Sequence, residues 1–238
     1  MARLSRYFFP CGIRRLAKPV LSELKLFIRS WLNILLPNKL FRYIRLLHQP
    51  DKKLHLGCGS KIFHGWINID MNPKGNLTID LREGLPFSDD SVELVYMEHA
   101  LEHFYREHDA PFLLRECLRV LKPGTWIRIT VPDASIFLNY YVGRLDPEVA
   151  EKIKQNHIRF HGTPMDVVNS GFRWKHQHHY MYDEETLGML LSEVGFVNIQ
   201  RQEFNQSIEQ DFIGLDLENR RHLTLYMEAQ KPPSVMEK

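Results

Sequence analysis

The feature that most constrains the fold is a short apolar strand, residues 53–56, that runs into the glycine turn 57–59 (Gly-Cys-Gly). A second apolar segment, residues 66–69, ends on Asp70. Glycine has no Cβ, so a strand that stops at glycines lets a ligand approach the bare backbone. An acid that closes the next strand can bind two vicinal ribose hydroxyls. Together these features predict a nucleoside site at the edge of a parallel α/β sheet.

The spacing of the glycines argues against a dinucleotide cofactor. A dinucleotide fingerprint requires Gly-x-Gly-x-x-Gly and an acid about 20 residues further on. Here Ile62 occupies the position of the third glycine, and Asp70 comes only 13 residues after Gly57. A ligand without phosphates, such as S-adenosylmethionine, fits this spacing better.

Further motifs follow in order as far as residue 133. They are a strand ending in an acid (77–81), the turn Gly-Leu-Pro-Phe-Ser-Asp-Asp-Ser (84–91), a strand (92–97), Leu-Glu-His-Phe (101–104), a helix that stops at Pro-Gly (123–124) and a strand closing in Pro-Asp (126–133). This series resembles the class I S-adenosylmethionine-dependent methyltransferases, specifically their small-molecule branch. The resemblance covers residues 53–133 well and 180–231 loosely. It implies a Rossmann-like α/β fold with a seven-stranded, mostly parallel sheet, helices on both faces, and S-adenosylmethionine as the methyl donor.

The resemblance also implies which residues bind the cofactor. The glycine turn would pass under the methionine and ribose parts, the acid after the second strand would take the ribose hydroxyls, and the acid after the third would face the adenine amino group. Alternatively, the first acid only caps the turn that follows it, and the second is a solvated strand end. The predicted cofactor residues are Gly57, Cys58, Gly59, Asp70, Asp80 and Leu81.

Three titratable residues follow the fourth strand, where the transferred methyl group should point. They are Glu98, His99 and His103. Histidine suits proton removal near neutral pH, so we expect His103 to accept or relay the acceptor proton. The alternatives are that His103 only begins a helix and that Glu98 contacts the cofactor.

Two features depart from the family pattern. His55 stands where many relatives carry an acid two residues before the first glycine. Loop carbonyls or Glu98 are therefore expected to hold the ammonium group of the cofactor. The link from Gly57 to Trp66 is also shorter than a usual crossover, which predicts that the first helix is a single turn or nearly absent.

Residues 134–180 are rich in aromatic residues and histidines. We expect them to form a loop-rich insertion that supplies the acceptor pocket within a methyltransferase domain over 51–238. His176 and His178 could share one face of a strand. No carboxylate or cysteine stands at ligand spacing beside them, so the sequence predicts no metal site.

Residues 1–50 are expected to form a separate basic, amphipathic helical segment. Residues 1–53 carry 12 Lys or Arg and two acids, whereas the remainder carries 19 Lys or Arg and 27 acids. Three interpretations stay open at this point: packing on the domain, peripheral contact with an anionic membrane, and an organellar targeting peptide.

Composition narrows the partners and the compartment. Three cysteines without paired spacing imply neither a disulfide framework nor a zinc site and favour a cytoplasmic protein. The acidic balance beyond residue 53 disfavours a nucleic-acid substrate. The expected acceptor is an oxygen or nitrogen of a small molecule or of a cell-surface sugar or lipid-linked intermediate. The alternative is a scaffold that binds the cofactor without catalysis, and the sequence leaves the oligomeric state open.

Overall fold

The computed structural model describes residues 24, 37–72, 74–157, 162–174 and 177–234. Most of the predicted N-terminal segment over 1–50 therefore lies outside the described residues. Within the described ranges, no helix has both the length and the apolar character needed to cross a membrane. The domain boundaries at residues 50 and 134–180 stay predictions.

Six strands form one sheet in the described part of the chain. They are β1 Lys52–Leu56, β2 Ile67–Ile69, β3 Val92–Glu98, β4 Leu121–Pro132, β5 Val197–Gln202 and β6 Thr224–Gln230. Their order across the sheet is β2-β1-β3-β4-β6-β5. The first four strands are parallel, and β6 pairs antiparallel with both β4 and β5. The predicted Rossmann-like α/β architecture with a mostly parallel sheet is confirmed.

The predicted third strand over 77–81 is wrong, which leaves six strands rather than seven. Leu77 makes only an isolated parallel bridge to Ile69. The chain then leaves the sheet because Asp80 caps a short 3₁₀ helix, Leu81–Glu83, by accepting a hydrogen bond from the backbone N of Arg82. The segment thus keeps its place beside β2 without becoming a strand.

Six helices surround the sheet in the described ranges. They are α1 Pro37–His48, α2 Asp109–Val120, α3 Ala134–Tyr141, α4 Pro147–His157, α5 Pro164–Arg173 and α6 Glu184–Val194. Helix α6 has a local sequence signal at each end. Asp183 accepts a hydrogen bond from the backbone N of Thr186, and Gly195 ends the helix with a left-handed φ of 111°.

The two faces of the sheet are covered differently. One face carries the aliphatic core, in which β1, β3 and β4 pack against buried residues of α2 and α6. The other face carries an aromatic group that includes Trp66, Tyr96, Trp126 and Phe212. The link between β1 and β2 contains only turns, so the predicted near-absence of a first helix is confirmed.

The segment after β4 is helical, and the prediction of a loop-rich insertion is wrong. It contains α3, α4 and α5. Asp133 caps α3 by accepting from the backbone N of Ser135 at 2.9 Å. Thr163 and Asp166 form a reciprocal capping box around Pro164 at the start of α5. These caps are local helix-start signals that outweigh the loop-like composition of the segment.

Helix α1 packs on the domain through one side. Tyr43, Leu46 and Leu47 contact the aliphatic core, whereas Phe41 is 73% exposed and Ile44 is 46% exposed. Phe41, Ile44 and Leu47 recur at helical spacing, but only Leu47 contacts the core.

Candidate active site

A cavity of about 590 Å³ opens at the carboxyl ends of β1, β2 and β3. Ligands of open α/β sheets bind in the crevice at this edge. All nine predicted site residues line the cavity, although their roles stay predictions. They are Gly57, Cys58, Gly59, Asp70, Asp80, Leu81, Glu98, His99 and His103.

The glycine turn requires glycine at its first position. The backbone N of Gly57 donates to Ile69 O at 2.9 Å, and φ of Gly57 is +70°. A Cβ at position 57 would lie 2.5 Å from Cβ of Ala100. Gly59 also has a positive φ, of 53°, but a Cβ there would meet nothing within 4 Å. The turn therefore packs tightly on one side and leaves its backbone open on the other.

The carboxylate of Asp70 accepts hydrogen bonds from two separate backbone segments. Its Oδ2 accepts from the backbone N of Gly59 at 2.8 Å, and its Oδ1 accepts from the backbone N of Asn72 at 2.6 Å. The capping role that the sequence left open is thus present. Each carboxylate oxygen keeps a further lone pair for a ligand. Beside it, burial raises the pKa of Cys58 to about 12, so this thiol stays protonated.

Asp80 is held by its neighbour. Both carboxylate oxygens accept from the guanidinium of Arg82, at 2.6 to 3.0 Å. Leu81 is buried against the cavity wall. A ligand atom at this end would meet an Asp–Arg ion pair rather than an isolated carboxylate.

Glu98 ends β3 and is almost fully buried. Burial raises the pKa of its carboxyl, while the ammonium of Lys61, 3.9 Å away, opposes that shift. The two side chains form a loose pair on the cavity wall, because 3.9 Å is longer than a direct hydrogen bond.

The two predicted histidines are fixed through one ring nitrogen each. Nε2 of His99 lies 2.9 Å from Oγ1 of Thr224. Nδ1 of His103 lies 3.0 Å from Gln177 O, and because a carbonyl can only accept, this nitrogen carries the proton. Nε2 of neutral His103 therefore presents a lone pair. Burial lowers the pKa of His99, although the neighbouring Glu102 opposes the shift.

Glu102 lies between these histidines and is only 1% exposed. Its Oε1 is 3.5 Å from Nδ1 of His99 and 4.0 Å from Nε2 of His103. Nε2 of His178 approaches the same oxygen to 3.8 Å. Burial alone would raise the pKa of Glu102, but its interactions with the neighbouring histidines, His99 above all, lower it.

His55 takes no part in the cavity. Its ring stacks on Phe63 at a centroid distance of 4.1 Å, and its Nδ1 donates to Oδ1 of Asn68 at 3.0 Å. His55, which stands where many relatives carry an acid, therefore packs among the aromatic side chains on one face of the sheet.

The family model that matches the sequence is described as a methyltransferase domain and covers residues 38–201. The chain belongs to this methyltransferase family. The resemblance to class I S-adenosylmethionine-dependent methyltransferases is thereby confirmed, and the chain is an enzyme of that family. None of the curated proteins compared with the chain matches it.

Several solved methyltransferase structures are similar to this methyltransferase at low identity. A S-adenosylmethionine-dependent methyltransferase from Archaeoglobus fulgidus is 20% identical, with a TM-score of 0.46, over 82% of this chain and 92% of its own. One from Mesorhizobium loti is 21% identical, with a TM-score of 0.46, over 75% and 90%. Phosphoethanolamine N-methyltransferase 2 from Haemonchus contortus is 12% identical, with a TM-score of 0.43, over 82% and 53%.

The methyltransferase has a second cavity of about 290 Å³ beside the first. The helical insertion contributes Phe137, Asn156, Gly171 and Trp174 to its wall. Both cavities are lined by three further residues, His99, His103 and Arg220. His161 and His176, which belong to the aromatic segment predicted from sequence, lie outside the described residues.

Sequence reasoning missed the contribution of the segment that carries Leu217 and Arg220, both of which line the first cavity. This segment is anchored by Asp216, whose carboxylate pairs with Arg128 of β4 at 2.5 Å. Both side chains are fully buried. No local sequence motif predicts this ion pair, because Arg128 and Asp216 are far apart in the chain.

Proposed function

We propose that this methyltransferase binds S-adenosylmethionine in the 590 Å³ cavity and a methyl acceptor in the adjoining 290 Å³ cavity. The observation that carries the proposal is that the two cavities meet at His99, His103 and Arg220. Because the two cavities adjoin at these residues, a methyl donor in one cavity would lie next to an acceptor atom in the other. Such alignment is the main contribution of a protein to a displacement reaction.

The residues around the first cavity fit this cofactor. Asp70 offers carboxylate lone pairs to ribose hydroxyls, and the open side of Gly59 admits a ligand close to the backbone. Glu98 offers the negative charge that an ammonium group requires, in place of the acid absent at position 55. When bound, S-adenosylmethionine supplies an electrophilic methyl group.

Proton removal falls to His103 in this proposal. Its Nε2 carries a lone pair because its Nδ1 donates to Gln177 O. A carboxylate oxygen of Glu102 lies 4.0 Å from Nε2 and would favour the charged imidazolium after proton transfer. The histidines within residues 157–179 are the second choice for this role.

The proposed acceptor atom is an oxygen or nitrogen of a small molecule or of a sugar or lipid-linked intermediate. The second cavity combines aromatic Phe137 and Trp174 with the amides of Asn156 and Asn219. Aromatic faces and amides suit a ligand with both apolar faces and hydroxyl groups. The alternative is a scaffold that binds the cofactor but transfers no methyl group.

Two measurements test the proposal. Calorimetric titration should show binding of S-adenosylmethionine and S-adenosylhomocysteine, and a nicotinamide dinucleotide should not raise the melting temperature. Incubation with methyl-labelled cofactor in cell extract should yield a labelled product. Cofactor binding without any labelled product would favour the scaffold, and no cofactor binding would overturn both forms of the proposal.

A further inference from the structure

Glu102 is a buried carboxylate without a conventional partner. It is 1% exposed, and neither of its oxygens accepts a hydrogen bond of normal geometry from the residues that the structure describes. The imidazole nitrogen that comes closest, Nδ1 of His99, is 3.5 Å from Oε1. Charge-assisted hydrogen bonds are shorter, at about 2.7–2.9 Å. A buried charge that lacks partners is costly, and buried charges are normally paired or coordinate metals.

Besides Nδ1 of His99, two further imidazole nitrogens converge on this carboxylate. Nε2 of His178 lies 3.8 Å from Oε1 of Glu102, and Nε2 of His103 lies 4.0 Å from it. One ligand atom from each of the three residues lies within 4.8 Å of the others. Ligand atoms 2.0–2.1 Å from a tetrahedral zinc ion are about 3.3 Å apart. The two distances from Oε1 of Glu102 to the histidine nitrogens exceed this spacing by about 0.5 and 0.7 Å, and every pair of ligand atoms lies within 4.8 Å.

The other ring nitrogens of these histidines hold them in the form that binds a metal. Nδ1 of His178 lies 2.9 Å from Gly171 O, and Nδ1 of His103 lies 3.0 Å from Gln177 O. Because carbonyl oxygens only accept, both Nδ1 atoms carry the proton and both Nε2 atoms keep a lone pair. Metal-binding histidines commonly donate their second N–H to a carbonyl or carboxylate in this way.

The two segments that carry these side chains are tied together. The 3₁₀ helix Leu101–His103 supplies Glu102 and His103, and the segment after α5 supplies His178. The backbone N of His179 donates to Glu102 O at 2.8 Å. The ligand atoms are therefore brought together by the fold itself.

We propose that Glu102, His103 and His178 bind a zinc ion. Two imidazoles and one carboxylate form a donor set that zinc uses in catalytic sites, where the fourth position stays open to water or substrate. The predicted absence of a metal site rested on the missing carboxylate beside His178, and Glu102 supplies that carboxylate from another element. All three residues line the acceptor cavity, so the open position is accessible to an acceptor oxygen.

Zinc binding at this site does not depend on methyl transfer. The proposal that the zinc ion binds the acceptor rests on the proposed function. A zinc ion there would hold an acceptor oxygen beside the cofactor cavity and lower the pKa of its hydroxyl. Nε2 of His103 cannot bind zinc and accept a proton at the same time. The zinc site therefore makes His103 a ligand in the loaded enzyme rather than the base.

The test uses the full-length chain, freed of metal with a chelator and titrated calorimetrically with Zn²⁺. We expect one zinc ion per chain. Glu102→Gln and His178→Asn should each weaken binding by more than about 100-fold, beyond the 10–100-fold typical of an outer-shell partner. His179→Asn is the matched control, because this neighbouring histidine stacks on Tyr105 outside the cluster and should leave zinc affinity unchanged.

Titration of each variant with S-adenosylhomocysteine shows whether it is folded and tests the cofactor site independently of zinc. If Glu102→Gln fails this control, His178→Asn decides, because it keeps the buried carboxylate. Absence of stoichiometric zinc binding by the wild type would overturn the proposal. Equal zinc affinity in wild type and His178→Asn would also overturn it, since the ion would then bind elsewhere.

Discussion

Oδ2 of Asp70 accepts a hydrogen bond of 2.8 Å from the backbone N of Gly59, which joins the end of β2 to the glycine turn after β1. The second carboxylate oxygen, Oδ1, accepts from the backbone N of Asn72. One side chain thus fixes the shape of the turn and faces the cofactor cavity. Loss of the carboxylate should affect both the shape of the turn and the affinity for the cofactor.

Asp70→Ala should weaken S-adenosylmethionine binding by roughly tenfold or more, because hydrogen bonds to a charged group are worth about 1.5–3 kcal/mol each. Calorimetric titration measures the loss. Asp70→Asn is the matched control, since its amide oxygen can still accept from one backbone N–H, and it should lose less affinity. Unchanged affinity in a folded Asp70→Ala protein would remove this residue from the site.

His103→Asn should lower turnover by roughly 10²–10⁴-fold, the usual scale for loss of a general base. Cofactor affinity should stay nearly intact, because the proposed cofactor contacts come from Gly59, Asp70 and Glu98. Turnover is measured once an acceptor has been identified, with S-adenosylhomocysteine titration in parallel. Near-normal turnover would exclude the role, and a matching loss of cofactor binding would make His103 structural.

His178→Asn separates the two roles considered for His103. This variant removes a proposed zinc ligand but keeps Nε2 of His103 and its bond to Gln177 O. If His103 acts as the base in a metal-free enzyme, turnover of His178→Asn should be unaffected by added or removed zinc. If zinc holds the acceptor, the wild type should lose turnover on chelation, and His178→Asn should already be slow.

Stability should fall in mild acid because of His55. Burial lowers the pKa of His55 from 6.5 to about 4, with smaller opposing effects from Asn68 and Asp70. The folded protein therefore resists a proton that the unfolded chain binds, so the contribution is complete above pH 6.5 and is lost as pH falls toward 4. At pH 5 the loss from this one group is about 2 kcal/mol.

Urea unfolding at pH 7.5 and pH 5 measures this effect, and His55→Phe tests its source. Phenylalanine keeps the ring that stacks on Phe63 but cannot take up a proton. The difference in unfolding free energy between the two pH values should shrink by about 2 kcal/mol in the variant. An unchanged difference would assign the acid sensitivity to other groups.

We propose that the enzyme is cytoplasmic and makes peripheral contact with an anionic membrane through its N-terminal segment. Residues 1–36 carry seven Lys or Arg and one acid, and α1 exposes Phe41 and Ile44. Clustered basic residues contribute about 1 kcal/mol each near such a surface. Full-length protein should therefore sediment with anionic vesicles, less so at high salt.

Deletion of residues 1–36 is the appropriate comparison, because it keeps the core contacts of α1 through Tyr43, Leu46 and Leu47. The truncated protein should bind S-adenosylhomocysteine normally and lose most vesicle binding. Equal sedimentation before and after the deletion would contradict the membrane proposal.

The parts of the fold that the sequence predicted are those encoded locally. The apolar strand before Gly57 and the short link from Gly57 to Trp66 each depend on neighbouring residues, and each is present. The missing third strand was harder to foresee. Its apolar pattern suits a strand, but Asp80 caps the next turn and Arg82 holds its carboxylate, so the chain leaves the sheet.

The residues of the candidate site also fall into two groups: those that local sequence predicts and those that depend on distant segments. The cofactor residues lie at strand ends, where the order of motifs already places them at one edge. Glu102 and His178 are 76 residues apart, and only the insertion of α3 to α5 brings them together. Likewise, Arg220 reaches the cavity on a segment anchored by the buried Arg128–Asp216 pair, which no local pattern reveals.

The position of β6 in the sheet has a consequence for folding during translation. β6 lies between β4 and β5, yet both neighbours are translated before it. Until residues 224–230 leave the exit tunnel, β4 and β5 present unpaired backbone edges to the crowded interior of the cell. The sheet closes only after β6 has emerged, so the nascent chain stays exposed to aggregation and to chaperones until then.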